Sequence, residues 1–191
     1  MKGKVYFIDS VHPFLSEELR EQGWQCVDAS RVPAADLPML LADAMGIVIR
    51  SRVTLDRRMI DAAPILRFIA RSGSGMENLD YAYARQRGIH CLNAPEGNRD
   101  SVGEHALGML LAMLNHLVRG DREVRSALWR REANRGRELM GKTVAIIGYG
   151  NTGSAFAQRL QGFGVRTIAY DKYKQGFSDA FVEECSMEEV F

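Results

Sequence analysis

Short apolar runs alternate with helix-like segments over the first half of the chain. VYFID (5–9), WQCVD (24–28), GIVIRS (46–51), ILRFIAR (65–71) and GIHCLN (88–93) have the length and β-branched character of strands. Between them, Pro13 with Ser16, Glu17 and Glu18 opens a helix that Gly23 closes, and PAADLPMLLADA forms a second helix-like stretch. Thr54 is placed to cap a third helix through Ala63, which Pro64 stops. Strands separated by helices imply right-handed crossovers and a parallel, doubly wound sheet. Residues 1–93 are therefore expected to form one α/β unit.

The pattern changes at Ser101. Ser101-Val-Gly-Glu104 has the capping-box layout, and the helix it opens is expected to run on through ALGMLLAMLNHLV. Leu107, Leu110, Leu111, Leu114, Leu117 and Val118 make a wide apolar stripe, extended by Met109 and Met113. That excess fits a second contact surface or a fully buried helix. After Gly141, KTVAIIG is a strand, GYGNTGSAFAQRLQGFG a turn and helix ending at Gly162 or Gly164, and VRTIAYD (165–171) the next strand. SMEEVF has the look of a helix in its first turns, and residues 94–191 form the second expected unit.

Strand, glycine turn, helix, strand and acid follow one another here, and that order carries chemistry. Gly148 permits a tight exit from the strand, Gly150 lets main chain approach a pyrophosphate, and Gly153 lets the helix pack closely on the sheet. The N–H groups of Asn151 and Thr152 then lie at a helix N-terminus, where unpaired donors and the helix dipole favour phosphate. Asp171 ends the second strand, where its carboxylate accepts from ribose hydroxyls and repels a 2′-phosphate. NAD is favoured over NADP, a preference softened by the neighbouring cations Lys172 and Lys174.

Composition narrows the alternatives. The net charge is +1, which supplies no overall field toward nucleic acid or an anionic membrane. RGDREVRSALWRREANRGR is locally basic, yet Asp121, Glu123, Glu132 and Glu138 interleave it, so it fits an ion-paired arm better than a nucleic-acid surface. Cys26, Cys91 and Cys185 lack CxxC or Cys/His spacing, which argues against a metal site or a disulfide framework. No run of apolar residues has the length of a membrane span and the N-terminus has no signal-peptide layout, so a cytoplasmic protein is expected.

RSGSGMENLD (71–80), NAPEGNRDSVGEHALGMLLA (93–112) and GKTVAIIGYGNTG…YD (141–171) closely resemble the D-isomer-specific 2-hydroxyacid dehydrogenases. IRS (49–51) and RSGSGMENLD point within that family toward its 3-phosphoglycerate-oxidising branch. The resemblance implies a flavodoxin-like substrate domain followed by the first part of a Rossmann NAD-binding domain. It implies hydride transfer between NAD and C2 of a small 2-hydroxy or 2-keto acid. By the same resemblance, main-chain N–H groups of Ser72 and Gly73 face the substrate carboxylate as an anion nest, Ser74 lies near the cofactor, and Arg50 helps hold the anionic substrate. The resemblance also implies a homodimer, to which the helix from Ser101 and the segment around Trp129 would contribute.

The chemistry needs a cation to polarise the carbonyl and a carboxylate-tuned histidine to carry the proton. In the family these follow the second nucleotide-domain strand, and none of His12, His90, His105 and His116 matches the acid/base position. No catalytic residue is assigned, and the expectation is a truncated, inactive piece of a longer dehydrogenase in which VRTIAYD has an unpaired outer edge. The alternative is an NAD(H)-binding sensor, similar to the NADH-binding corepressors that share the fold.

Overall fold

The computed structural model describes residues 2–191, which divide into two compact units at Gly97/Asn98. In the first unit, β1 (Lys4–Phe7), β2 (Gln25–Asp28), β3 (Ala44–Ile49), β4 (Phe68–Arg71) and β5 (His90–Asn93) form one sheet in the order β2-β1-β3-β4-β5, every pair parallel. The strands are covered on both faces, which is why their sequences run apolar at successive positions. Tyr6, Ile8, Ile47, Ile49 and Ile69 point into one core, whereas Val5, Phe7 and Val48 point to the other face. There they meet Leu15, Leu19 and Trp24, the first two on α1 (Pro13–Glu21). His12 caps α1, its Nδ1 accepting the Phe14 N–H at 3.3 Å.

Two helix expectations are corrected. PAADLPMLLADA yields only one α turn, α2 (Leu37–Leu40), and a 3-10 turn (Leu41–Asp43). Leu37 and Leu41 are fully buried, and Asp43 is drawn to β1, accepting from Lys4 Nζ (2.6 Å) and the Tyr6 hydroxyl (2.7 Å). α3 (Arg57–Asp61) is capped by Asp56, which accepts the Met59 N–H at 2.9 Å; Thr54 does not cap it. The reason is Leu55, which bridges to Leu79 in strand-like fashion and so delays the helix start. α4 (Tyr81–Gln86) then leads into β5.

The second unit holds α5 (Arg99–Leu114), α6 (Leu117–Arg125), β6 (Thr143–Ile147), α7 (Asn151–Leu160), β7 (Arg166–Tyr170) and β8 (Glu183–Glu184). Asn98, not Ser101, is the N-cap of α5; the Ser101 hydroxyl donates to the Asn98 carbonyl (2.9 Å), and Glu104 pairs with Arg159 (3.4 Å) instead of closing a capping box. The helix also stops earlier than its apolar pattern implied, because His116 adopts a left-handed conformation (φ 54°) between α5 and α6. Leu107, Leu110, Leu111 and Leu114 pack into the core with Ala157 and Leu160 of α7. Gly103 makes that approach possible: a Cβ there would stand 3.0 Å from the Ala155 backbone.

The sheet of this unit has the order β6-β7-β8, again parallel. β8 overturns the expected bare edge of β7. Glu183 and Glu184 pair with Ile168 and Ala169, the Cys185 N–H adds a bond to the Ala169 carbonyl (2.9 Å), and Arg166 closes an ion pair with Glu183 (2.5 Å). The terminal SMEEVF contributes a 3-10 turn (Glu188–Val190) rather than an α-helix.

Candidate functional site: the glycine corner and its acid

β6 ends at Ile147 and α7 begins at Asn151, so only Gly148, Tyr149 and Gly150 make the corner. Gly148 has φ 97°, which a residue with a side chain adopts only at a cost. Gly153 is needed for a different reason: a Cβ there would overlap the Gly148 carbonyl oxygen. The first intrahelical bond of α7 runs from the Ser154 N–H to the Gly150 carbonyl (3.0 Å), so the N–H groups of Asn151, Thr152 and Gly153 come before the ladder starts. With the helix dipole they form a donor set suited to a diphosphate.

Asp171, directly after β7, is joined to this corner. Its Oδ2 accepts the Tyr149 N–H (2.8 Å), and its Oδ1 accepts the N–H groups of Tyr173 (2.8 Å) and Lys174 (3.0 Å). The Tyr173 N–H above all, then those of Tyr149 and Lys174 with the Lys174 ammonium, hold its carboxyl below the usual carboxylate range. Oδ1 has both lone pairs engaged, whereas Oδ2 keeps one acceptor direction for a ribose hydroxyl. A cleft of about 400 Å³ opens beside it, lined by Tyr170, Asp171, Lys174, Gln175, Glu184 and Cys185 among others.

Three features of this corner carried no periodic signal in the sequence. Tyr149 is buried; its ring stacks on Phe177 (centroids 5.1 Å apart) and its hydroxyl donates to Asp179 (2.8 Å). Burial first, and then that bond, push its phenol well above the usual range. Lys174 Nζ donates to the Tyr149 carbonyl (2.9 Å), so Lys174, one of the two cations that the sequence offered to a 2′-phosphate, already has a partner.

The first unit's candidate residues lie at the C-terminal ends of its strands. The order β2-β1-β3-β4-β5 reverses between β1 and β3, where doubly wound sheets open a crevice. Arg50, one residue beyond β3, donates its N–H to Asp9 Oδ2 (2.6 Å) beyond β1. Its guanidinium is exposed, with no hydrogen-bond or ion-pair partner among the described residues. Arg52 behaves oppositely: it donates to the carbonyls of Ile8 (2.6 and 3.0 Å), Val32 (2.9 Å) and Ala29 (3.3 Å), a structural clamp that its sequence context did not announce. Asn78 ties the same loop, donating to the carbonyls of Arg50 (2.9 Å) and Val53 (3.0 Å).

Ser72 and Gly73 depart from the expected anion nest. The Ser72 N–H extends the ladder to the Ile49 carbonyl (2.8 Å), and the Gly73 N–H turns back to the Arg71 carbonyl (2.9 Å), so both donors are engaged. The following N–H groups, of Ser74 and Gly75, have no partner among the described residues, while the Ser74 carbonyl accepts from Asn93 Nδ2 (2.6 Å). Ser72 also lines a cleft of about 230 Å³ with Arg71, Asn93 and apolar neighbours.

Residues 107–191, which include the glycine corner and Asp171, match the family model described as D-isomer specific 2-hydroxyacid dehydrogenase, NAD binding domain. The likeness to that family is thus shown for the NAD-binding part of the chain, residues 107–191. Similar relatives include a D-3-phosphoglycerate dehydrogenase of Mycobacterium leprae, 39% identical over 150 residues, which is 77% of this chain and 28% of that protein. A hydroxypyruvate reductase of Thermotoga maritima is 34% identical over 165 residues, 86% of this chain and 54% of that protein. Among solved structures, the NAD-dependent formate dehydrogenase of Staphylococcus aureus in complex with NAD superposes with a TM-score of 0.81 at 25% identity, over 98% of this chain and 61% of that one. The chain thus spans between 28% and 61% of the length of these relatives. The cofactor of the matched domain is NAD, and the donor set at α7 together with the open acceptor on Asp171 fits its diphosphate and ribose.

Proposed function

We propose that this chain binds NAD at the 148–153 corner and serves oxidation or reduction of a D-2-hydroxy or 2-keto acid, with 3-phosphoglycerate as the preferred candidate substrate. One observation carries the reading: the acid that selects the ribose is hydrogen-bonded to the turn that meets the diphosphate. NAD, when bound, supplies the hydride acceptor. Asn151, Thr152 and Gly153 N–H groups hold the diphosphate, and Asp171 Oδ2 accepts from the adenosine ribose and repels a 2′-phosphate. Arg50 supports a phosphorylated acid, because an exposed guanidinium without a partner is suited to a phosphate or carboxylate. The carboxylate role proposed for the Ser72–Gly73 loop passes more naturally to the Ser74 and Gly75 amides, and the proton-transfer and carbonyl-polarising roles are assigned to no residue of this chain.

The same reading includes a homodimer in the cytoplasm. Met109, Met113 and Val118 expose apolar surface on the outer side of α5 and α6, where they line a groove of about 380 Å³. An exposed apolar patch of this kind marks a partner surface. Light scattering at micromolar concentration tests it, a monomeric mass being the contrary result. No helix among the described residues is long and apolar enough to cross a membrane.

The function is tested by titrating NADH and then following NADH formation with a panel of D-2-hydroxy acids that includes 3-phosphoglycerate. NADH uptake with turnover of the panel supports a dehydrogenase. Uptake by the full-length gene product without turnover of any acid would favour the sensor.

A further inference from the structure

The two glycines that make the corner also make it unstable as a conformation. Gly148 and Gly150 flank a single residue, and glycine on both sides leaves the two peptide planes around Tyr149 free to rotate. Those planes determine where the corner's N–H groups point, because a trans peptide holds its N–H opposite its C=O. A turn that is to grip a diphosphate therefore needs something to fix both planes, and the helix cannot do so, since its ladder starts only at Ser154.

Both planes are fixed from outside the corner. The Gly148–Tyr149 plane is held through its N–H by Asp171 Oδ2 (2.8 Å). The Tyr149–Gly150 plane is held through its carbonyl by Lys174 Nζ (2.9 Å), which aims the Gly150 N–H the opposite way. Asp171 and Lys174 are themselves one unit, since the Lys174 N–H donates to Asp171 Oδ1 (3.0 Å). The Tyr149 side chain adds a third restraint, buried against Phe177 and bonded to Asp179. No added Cβ at Gly150 would find an atom within 4 Å, so the corner is open on the side where a ligand approaches.

We propose that Lys174 is a positioning residue for the dinucleotide turn: by holding the Tyr149 carbonyl it orients the Gly150 N–H for the diphosphate, while Asp171 fixes the preceding peptide plane by taking its N–H. The proposal rests on NAD binding at this corner. It also gives Lys174 a task other than neutralising a 2′-phosphate, so this cation does not relax the choice of NAD over NADP.

The test compares the full chain with its Lys174→Met and Lys174→Arg variants, by calorimetric titration with NADH and by the amide NMR signal of Gly150. Lys174→Met keeps the aliphatic stem and loses the donor. It is expected to weaken NADH binding about fivefold, in keeping with loss of one charge-assisted hydrogen bond on a solvent-facing side chain. The Gly150 amide signal should shift or broaden in that variant before any ligand is added. Lys174→Arg should restore both, while the thermal midpoint stays within a few degrees throughout. Unchanged NADH affinity and an unchanged Gly150 signal in Lys174→Met would overturn the positioning role while leaving NAD binding intact. Equal weakening in the Arg variant would also overturn it, because the effect would then not follow the donor. Failure of the unmodified chain to bind NADH would overturn both the NAD reading and this one.

Discussion

Asp171 accepts the N–H of Tyr149 at 2.8 Å across 22 residues, which joins the acid after β7 to the turn after β6. One side chain thus shapes the turn and, in the proposed reading, also meets the ribose. Asp171→Ala removes both, and Asp171→Asn leaves an amide oxygen able to accept. The expectation is a loss of NADH affinity of about tenfold or more for Ala, a smaller loss for Asn, and a rise in NADPH affinity relative to NADH in both. Fluorescence titration with the two reduced cofactors checks this; an unchanged preference in Asp171→Ala would argue against the ribose role.

The same carboxyl sets a pH expectation. Its folded pKa is lowered, so the stabilisation from its charged form is present above the ordinary carboxylate value and is lost only as pH falls through the lower, folded value. NADH affinity should therefore not fall through Asp171 protonation between neutral pH and about pH 4. A drop centred near pH 5 that Asp171→Asn abolishes would contradict the assignment.

Gly153→Ala tests the close approach of α7 to the corner. Its new Cβ meets the Gly148 carbonyl, a backbone atom that cannot swing away, so destabilisation of about 1–3 kcal/mol and loss of NADH binding are expected. Gly162→Ala is the matched control, with nothing within 4 Å of its added Cβ. Urea melts and NADH titrations of both variants check the contrast. Comparable damage from the two substitutions would mean that packing at the corner is not the cause, since alanine favours a helix over glycine.

Arg50 and Arg52 stand two residues apart and should behave as opposites. Arg52→Met takes the guanidinium donor from the Ile8, Ala29 and Val32 carbonyls, of which Ala29 keeps the Val32 N–H, and is expected to cost about 1–3 kcal/mol of stability. Arg50→Met should cost under about 0.5 kcal/mol, as an exposed side chain without partners, and should weaken binding of 3-phosphoglycerate. Chemical denaturation and ligand titration on each variant separate the two. Loss of stability in Arg50→Met would show that its guanidinium has a structural partner after all.

These residues also show where sequence legibility ended. The parallel sheet of the first unit and the corner glycines are legible, because buried strands and glycine turns impose composition on the chain; the strand order is not. β8 was not: its two residues are both glutamate, paired by backbone bonds and by Arg166, so it carries no apolar signal. Thr54 has the local chemistry of a cap, but the bridge from Leu55 to Leu79 delays the helix to Asp56. The Ser101 capping box failed in a similar way, since Glu104 meets Arg159, 55 residues away. At the site, the position of Asp171 after a strand is legible from spacing, whereas the clamp by Lys174 and the burial of Tyr149 depend on contacts that spacing does not encode.

A titration in the alkaline range probes the first unit. Burial first, and then the bond to Asp43, push the Tyr6 phenol up to about 12. A raised folded pKa means that its contribution is fully present below about pH 10 and is lost as pH rises toward 12. Thermal melts of the unmodified chain should lose stability over that window, and Tyr6→Phe should flatten the slope despite a lower starting midpoint. An identical alkaline slope in Tyr6→Phe would assign the loss to other groups.

The most direct test of the account is calorimetric titration of the unmodified chain with NADH and, separately, NADPH. The account expects saturable uptake of one NADH per chain and at least tenfold weaker uptake of NADPH. Absence of heat with either cofactor, or equal affinity for both, would contradict the pairing of the glycine corner with Asp171 as an NAD site.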